Sequence, residues 1–249
     1  SKSLFSTIKL CLTSNNETIK YLSELGVSNI FHFGNLKLIN SSEDEFEDKF
    51  KKRFLENKIF WLAASTHPGE EEFCIQTHQI LKKKFPKLIT IIAPRHIHRS
   101  LKIRKLCNSS NLKSVILNKK DKLVDNFEII ILNAFGILPI YFKHAKAVFV
   151  GKSLIKKLRF EGGQNPIEAA RFGCKIYHGN YVYNFQEVYE ILRQNNISKN
   201  INSPEELAEY LIKDLQPGQK KFEEVSKFMD TLSERTLKDT IDKVNKFVE

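Results

Sequence analysis

Ile59-Phe60-Trp61-Leu62-Ala63-Ala64, a helical-period segment over residues 70–85, and then Leu88-Ile89-Thr90-Ile91-Ile92-Ala93 form the stretch that decides the fold. Two apolar runs of strand length joined by an amphipathic helix make a βαβ unit. Neither run alternates apolar with polar residues, so both faces of each strand are buried, as in a parallel sheet covered by helices on both sides.

Working outward, the alternation continues. Residues 99–107 read as helix, 114–117 and 128–132 as strands, 136–144 as helix and 145–150 as strand. A helix follows Asn165, a strand covers 175–178, and a helix with Phe185, Val188 and Leu192 on one face covers 185–195. The fold class is therefore α/β, a Rossmann-like doubly wound parallel sheet, and ligands of such sheets bind at the carboxyl ends of the strands. Ser203-Pro204-Glu205-Glu206 is a capping box with proline at the first helical position. Phe222, Val225, Met229, Leu232, Ile241, Val244 and Val248 form the apolar stripe of a long final helix, with or without an interruption. Ahead of the sheet, residues 1–40 hold a strand (7–13), a helix (17–25) and a strand (29–33), too little to bury a core alone. A charged run over 41–53 separates them from the sheet.

Composition narrows the class. The chain has 249 residues, 41% of them hydrophobic, a net charge of +11 and an isoelectric point near 9.4. The charge suits an anionic partner, such as phospholipid, nucleic acid or a phosphorylated substrate, without choosing among them. With no zinc-finger spacing, RNP-like motif or basic arm, specific nucleic-acid binding is not expected. No apolar run reaches the ~18 residues of a membrane span, and the first residues lack a signal peptide's apolar core. Cys11, Cys74, Cys107 and Cys174 show no paired metal spacing and read as reduced, packed thiols. Lys82-Lys83-Lys84 falls at a helix end, where basic residues are favourable for structural reasons.

The candidate binding element is Glu161-Gly162-Gly163-Gln164-Asn165-Pro166-Ile167-Glu168-Ala169-Ala170-Arg171-Phe172-Gly173. The glycine pair lets backbone approach a ligand, Asn165 can cap, Pro166 suits the first helical position and Gly173 can end the helix. A helix N-terminus favours phosphate, and Glu168 can accept from sugar hydroxyls. An ordinary capped helix would carry the same signals.

Four ordered motifs add a resemblance. Residues 63–72 (Ala-Ala-Ser-Thr-His-Pro-Gly-Glu-Glu-Glu), Ala93-Pro94-Arg95-His96, Phe149-Val150-Gly151-Lys152-Ser153-Leu154 and Gly162-Gly163-Gln164-Asn165-Pro166-Ile167-Glu168 resemble, in order and spacing, the carboxyl-terminal half of 3-deoxy-D-manno-octulosonic acid (Kdo) transferases. The likeness runs from about Thr7, through Gly34-Asn35-Leu36-Lys37, to about Ile197. It implies the carboxyl-terminal domain of a GT-B glycosyltransferase, which transfers Kdo from CMP-Kdo to a lipid A precursor at the cytoplasmic face of the bacterial inner membrane and needs no cofactor or metal. It further implies this plan: residues 1–40 a remnant of the amino-terminal Rossmann-like domain, 41–57 a linker, 58–218 the nucleotide-sugar-binding domain, and 219–249 helices packing back toward the amino-terminal domain. In the family that missing domain carries the membrane anchor, the acceptor site and a glutamate base, so this chain alone is expected to be soluble and inactive.

Carried over by resemblance, Pro94 and Arg95 contact CMP, and Asn165, Pro166, Ile167 and Glu168 bind its phosphate and ribose side. Phe135, Gly136 and Ile137 form a further CMP loop, and Lys37 is the catalytic counterpart of a lysine that stabilises the transition state. The loop Ser65, Thr66 and His67 is a candidate for touching Kdo or phosphate. The chain departs from the family at Asn133 and at Phe135-Gly136-Ile137, where an aspartate and methionine-glycine-glutamate are usual. Gln164 replaces a common histidine and Lys152 a common glycine. His96, His98 and His67 lack partners at metal-ligand spacing. Glu70-Glu71-Glu72 are first-turn acids, expected from the helix dipole rather than from a base role. A nucleotide-binding module without turnover, or a GT-B enzyme using another nucleotide sugar, fits the same residues.

Overall fold

A computed structural model describes residues 2–38, 49–123, 125–216, 218 and 223–248. In chain order the elements are α1 (Lys2–Phe5), β1 (Cys11–Leu12), α2 (Asn16–Glu24), β2 (Ile30–Phe31), α3 (Lys49–Glu56), β3 (Phe60–Thr66), α4 (Glu70–Lys82), β4 (Ile89–Pro94), α5 (Ser100–Ser109) and β5 (Ser114–Leu117). They continue with β6 (Ile129–Leu132), α6 (Leu138–His144), β7 (Ala147–Val150), α7 (Ile167–Arg171), β8 (Lys175–His178), α8 (Gln186–Gln194), β9 (Ser198–Asn200), α9 (Pro204–Asp214) and α10 (Glu223–Val248). The chain divides into two compact units, Ser1–Asp44 with Lys227–Glu249, and Glu45–Ser226.

In the larger unit the described strands form one parallel sheet in the order β5-β6-β4-β3-β7-β8-β9. The period of two along each strand splits its side chains between two buried layers. Trp61, Ala63, Ile92, Ile129, Ile131 and Phe149 join a core with Cys74, Ile75 and Leu81 of α4 and Leu207 and Leu211 of α9. Their neighbours Leu62, Ile91, Ile130, Val148 and Ile176 are also at most 1% exposed. The sheet is covered on both faces, as the unbroken apolar runs require. Lys82 ends α4 in an ion pair with Glu128, a structural use of the lysine cluster.

Two differences from the sequence reading have clear causes. The edge strand β9 is Ser198-Lys199-Asn200, too short and polar to show a strand period, and it exists because β8 offers it a parallel ladder. Within the stretch read as a linker, residues 49–56 form α3, whose Leu55 is 2% exposed. The final helix is continuous from Glu223 to Val248, with Val225 and Met229 buried and Ile241 and Val248 exposed. Phe222, part of the expected stripe, lies outside the described residues. The capping box forms at α9, where Ser203 Oγ accepts from Glu206 N; the Glu206 carboxylate accepts from Asn202 N, one residue before the cap.

The smaller unit pairs β1 with β2 in parallel, Cys11 opposite Ile30. Asn15 caps α2, its Oδ1 accepting from Thr18 N at 2.8 Å. Gly34, at φ +113°, lies against α10 so closely that a Cβ there would stand 2.9 Å from Thr236 Oγ1. Lys243 Nζ sits 3.6 Å from the centroid of the Phe31 ring.

Candidate nucleotide-sugar site

The sheet order makes the carboxyl ends of β6, β4, β3 and β7 neighbours, and most of the expected site residues leave from those four ends. β3 ends in a bulge. Its register to β4 shifts between Ala64 and Thr66, and the extra residue, Ser65, sits at φ +56°. Bulges at strand ends re-aim the following side chains. Here Thr66 still lies opposite Pro94, and Arg95 N donates to Thr66 O at 3.0 Å. The rings of His67 and His96 meet edge to face at 5.8 Å, and His96 stacks on His98 at 5.7 Å. Burial lowers the His67 pKa below its usual value, opposed by a contact of Nδ1 with Ser65 O, so the imidazole is neutral near pH 7.

Glu70 and Glu71 explain why these loops hold their shape. Glu70 is fully buried, and its carboxylate accepts four backbone N–H groups: His67 at 2.9 Å, Lys152 at 2.7 Å, Ser153 at 2.8 Å and Leu154 at 3.0 Å. It ties the loop after β3 to the loop after β7. Burial raises its pKa, and the four N–H bonds pull the other way. Glu71 accepts from Thr66 Oγ1 at 2.9 Å and pairs with both terminal nitrogens of the buried Arg99. The junction needs Gly151, because a Cβ there would meet Ser65 O at 2.5 Å and Glu70 Oε2 at 2.7 Å. First-turn acids signal only a helix start, so neither clamp was legible in the sequence.

The remaining candidates divide by what they can offer. Arg95 is exposed, and among the described residues no carboxylate pairs with its guanidinium. Pro94, Pro166, Ile137 and Ile167 are buried, so their side chains pack inside the protein. Phe135 is 63% exposed, and Gly136, at φ +71°, has open space where a Cβ would lie. Asn133, at the position where the resembled family has aspartate, lies 3.1 Å from Ser100 Oγ through its Oδ1 and donates to Asn118 Oδ1 at 2.9 Å, which keeps one N–H and one lone pair of its amide uncommitted. Lys37 belongs to the smaller unit, in a turn over Leu36–Leu38, with its backbone N–H on Asn35 Oδ1.

Asn165 accepts from Ile167 N at 3.0 Å but stands one residue before the cap position, which Pro166 holds without a side-chain cap bond, so α7 starts at Ile167 and not at the proline; Gly173, at φ +72°, follows its end. The helix has only five residues, so its dipole is shorter than the sequence suggested. Glu168 reaches solvent, and the protein around its carboxyl raises the pKa by partial desolvation. The glycine pair has a different cause from the one expected. A Cβ on Gly162 would meet Tyr181 O at 2.3 Å, and one on Gly163 would meet Val182 Cα at 2.9 Å. Gly163 is also at φ +88°. The two glycines let one loop lie against another. Lys152, where glycine is common in the family it resembles, sits at φ +58°.

No family model matches. A Haemophilus influenzae 3-deoxy-D-manno-octulosonic acid transferase is 27% identical over 196 residues, 77% of this chain and 45% of that protein. The enzyme of the same name from Rickettsia conorii is 30% identical over 201 residues, 80% of this chain and 42% of that protein. The C-terminal CMP-Kdo binding domain of WaaA from Acinetobacter baumannii superposes with a TM-score of 0.60 at 20% identity, covering 76% of this chain and 93% of that one. The chain therefore spans about half the length of the curated relatives it matches. The fold is that of the carboxyl-terminal domain of a GT-B glycosyltransferase. By sequence the chain is homologous to the Kdo transferases.

Proposed function

We propose that this chain is the donor-binding part of a glycosyltransferase that moves Kdo from CMP-Kdo to a lipid A precursor in lipopolysaccharide biosynthesis, working at the cytoplasmic face of a bacterial inner membrane. One observation carries the reading. The loops bearing Gly136, Arg95 and Asn165 leave the carboxyl ends of the parallel strands β6, β4 and β7, with only β3 between β4 and β7, in a chain homologous to Kdo transferases. Departure of CMP builds negative charge on its phosphate and oxocarbenium character on the sugar. The free Arg95 guanidinium and the start of α7 answer the phosphate, and Glu168 accepts from the ribose hydroxyls. With Ile137 buried, cytosine is read by backbone groups of residues 135–137. Ser65, Thr66 and His67 face the donor sugar, and Lys37 is the lysine that stabilises the transition state. The acceptor and a general base come from an amino-terminal domain.

A different nucleotide sugar is the second reading, favoured by Asn133 and Ile137 standing where acidic side chains are usual. Calorimetric titration with CMP and UMP separates the two. Selective heat with CMP supports the proposal, and equal heats with both nucleotides overturn it. Among the described residues no helix is long and apolar enough to cross a membrane.

A further inference from the structure

We propose that His67 determines donor specificity, its Nε2 accepting a hydrogen bond from a hydroxyl of the activated sugar rather than pairing with an acidic group. The inference rests on the nucleotide-sugar reading above and adds to it the part of the donor that this side chain recognises.

His67 follows the bulge that ends β3, the strand between β4, which leads to Arg95, and β7, which leads toward α7. Residues from all three strand ends surround its ring. His96, one residue past Arg95, meets it edge to face at 5.8 Å, and the charge of Lys152, past the end of β7, acts on it. The backbone N–H of His67 donates to Glu70 Oε2 at 2.9 Å, which anchors the residue there. A ligand group beside His67 therefore lies between the two elements that answer the phosphate. In a nucleotide sugar, the group bonded to that phosphate on the far side from the ribose is the sugar.

The tautomer decides the chemistry. Nδ1 lies 3.1 Å from Ser65 O, an oxygen that only accepts, so Nδ1 carries the proton and Nε2 presents a lone pair. His67 is 8% exposed, and its Nε2 reaches the surface, unlike those of His78 and His178, which are enclosed without a partner. No donor among the described residues meets that nitrogen. Burial keeps the ring neutral against the pull of Ser65 O, and the charges of Lys152, His96 and Arg99 act in the same sense as burial. A lone pair on a neutral ring repels a carboxylate or phosphate oxygen and suits an O–H. A side chain this buried, with one acceptor left open at a strand end, is set to be completed by a ligand hydroxyl.

Calorimetric titration of the whole chain with CMP and with CMP-Kdo, joined by nitrogen NMR of the His67 ring, tests the assignment. CMP-Kdo should bind more tightly than CMP, and it alone should shift the Nε2 resonance, as a nitrogen does on accepting a hydrogen bond. His67→Phe should weaken CMP-Kdo about tenfold and leave CMP unchanged. His67→Gln, whose amide oxygen can accept, should recover part of the preference. The NMR arm needs no variant, so it decides even where His67→Phe does not fold. Absence of CMP binding to the unaltered chain overturns the nucleotide reading and this inference with it. Three results overturn the inference alone while CMP still binds: a proton on Nε2, an Nε2 resonance unmoved by CMP-Kdo, or an equal loss of both ligands in His67→Phe.

Discussion

The Glu70 carboxylate accepts the backbone N–H of Ser153 at 2.8 Å across 83 positions of sequence. That bond, with the three beside it, fixes two strand-end loops of the candidate site against each other. Removing the carboxylate leaves two buried and two part-buried N–H groups unanswered, so Glu70→Ala should cost about 3–5 kcal/mol, measured by urea denaturation. Gly151→Ala should cost about 2 kcal/mol or more, since the new Cβ collides with backbone at Ser65. A loss below about 1 kcal/mol in both variants would mean that the clamp contributes little.

Lys152→Gly should stabilise the protein by about 0.5–1 kcal/mol. The lysine occupies left-handed backbone at φ +58°, where glycine is free of the Cβ penalty, and its N–H bond to Glu70 survives the change. Lys152→Val should move the denaturation midpoint the other way, because β-branched residues tolerate that region poorly.

Acid should destabilise the fold through two neutral histidines. Burial brings His78 and His178 from 6.5 to about 4. Their unfolded forms take up protons first as pH falls, so this stability is complete above pH 6.5 and is lost down to about pH 4. At about 1.4 kcal/mol per pH unit, each imidazole accounts for roughly 3 kcal/mol. Midpoints measured across this window should slope upward with pH, and His178→Phe should flatten part of the slope. A slope unchanged in that variant would assign the acid sensitivity elsewhere.

Arg95→Ala should weaken CMP by about 1.5–3 kcal/mol, the usual loss for one charge-assisted phosphate contact. Because Arg95 is exposed, stability should hardly change. Calorimetry on both proteins decides, and wild-type affinity in the variant would remove Arg95 from the phosphate site.

This polypeptide by itself should give no Kdo transfer from CMP-Kdo to a lipid A precursor beyond background hydrolysis. Its two buried acidic candidates for a general base are engaged, Glu70 by four N–H groups and Glu71 by Arg99. Product formed by the isolated chain, and lost in Glu72→Gln or Glu168→Gln, would locate a base here after all.

Local pattern was enough wherever one segment's chemistry decides its own conformation. The unbroken apolar runs over 59–64 and 88–93 required a doubly covered parallel sheet, Gly173 marked the end of α7, and four ordered motifs carried the family likeness. What needed tertiary structure was every feature whose reason is distant in sequence. Glu70 looked like a first-turn acid until backbone from residues 152–154 came to meet it, and the pair Gly162-Gly163 looked like a ligand cradle until Tyr181 and Val182 filled that space. β9 carries no strand signal because its ladder is supplied by β8. Periodicity and capping are local energies, readable one residue at a time, whereas buried hydrogen bonds and close backbone approach depend on partners that only the folded chain brings together.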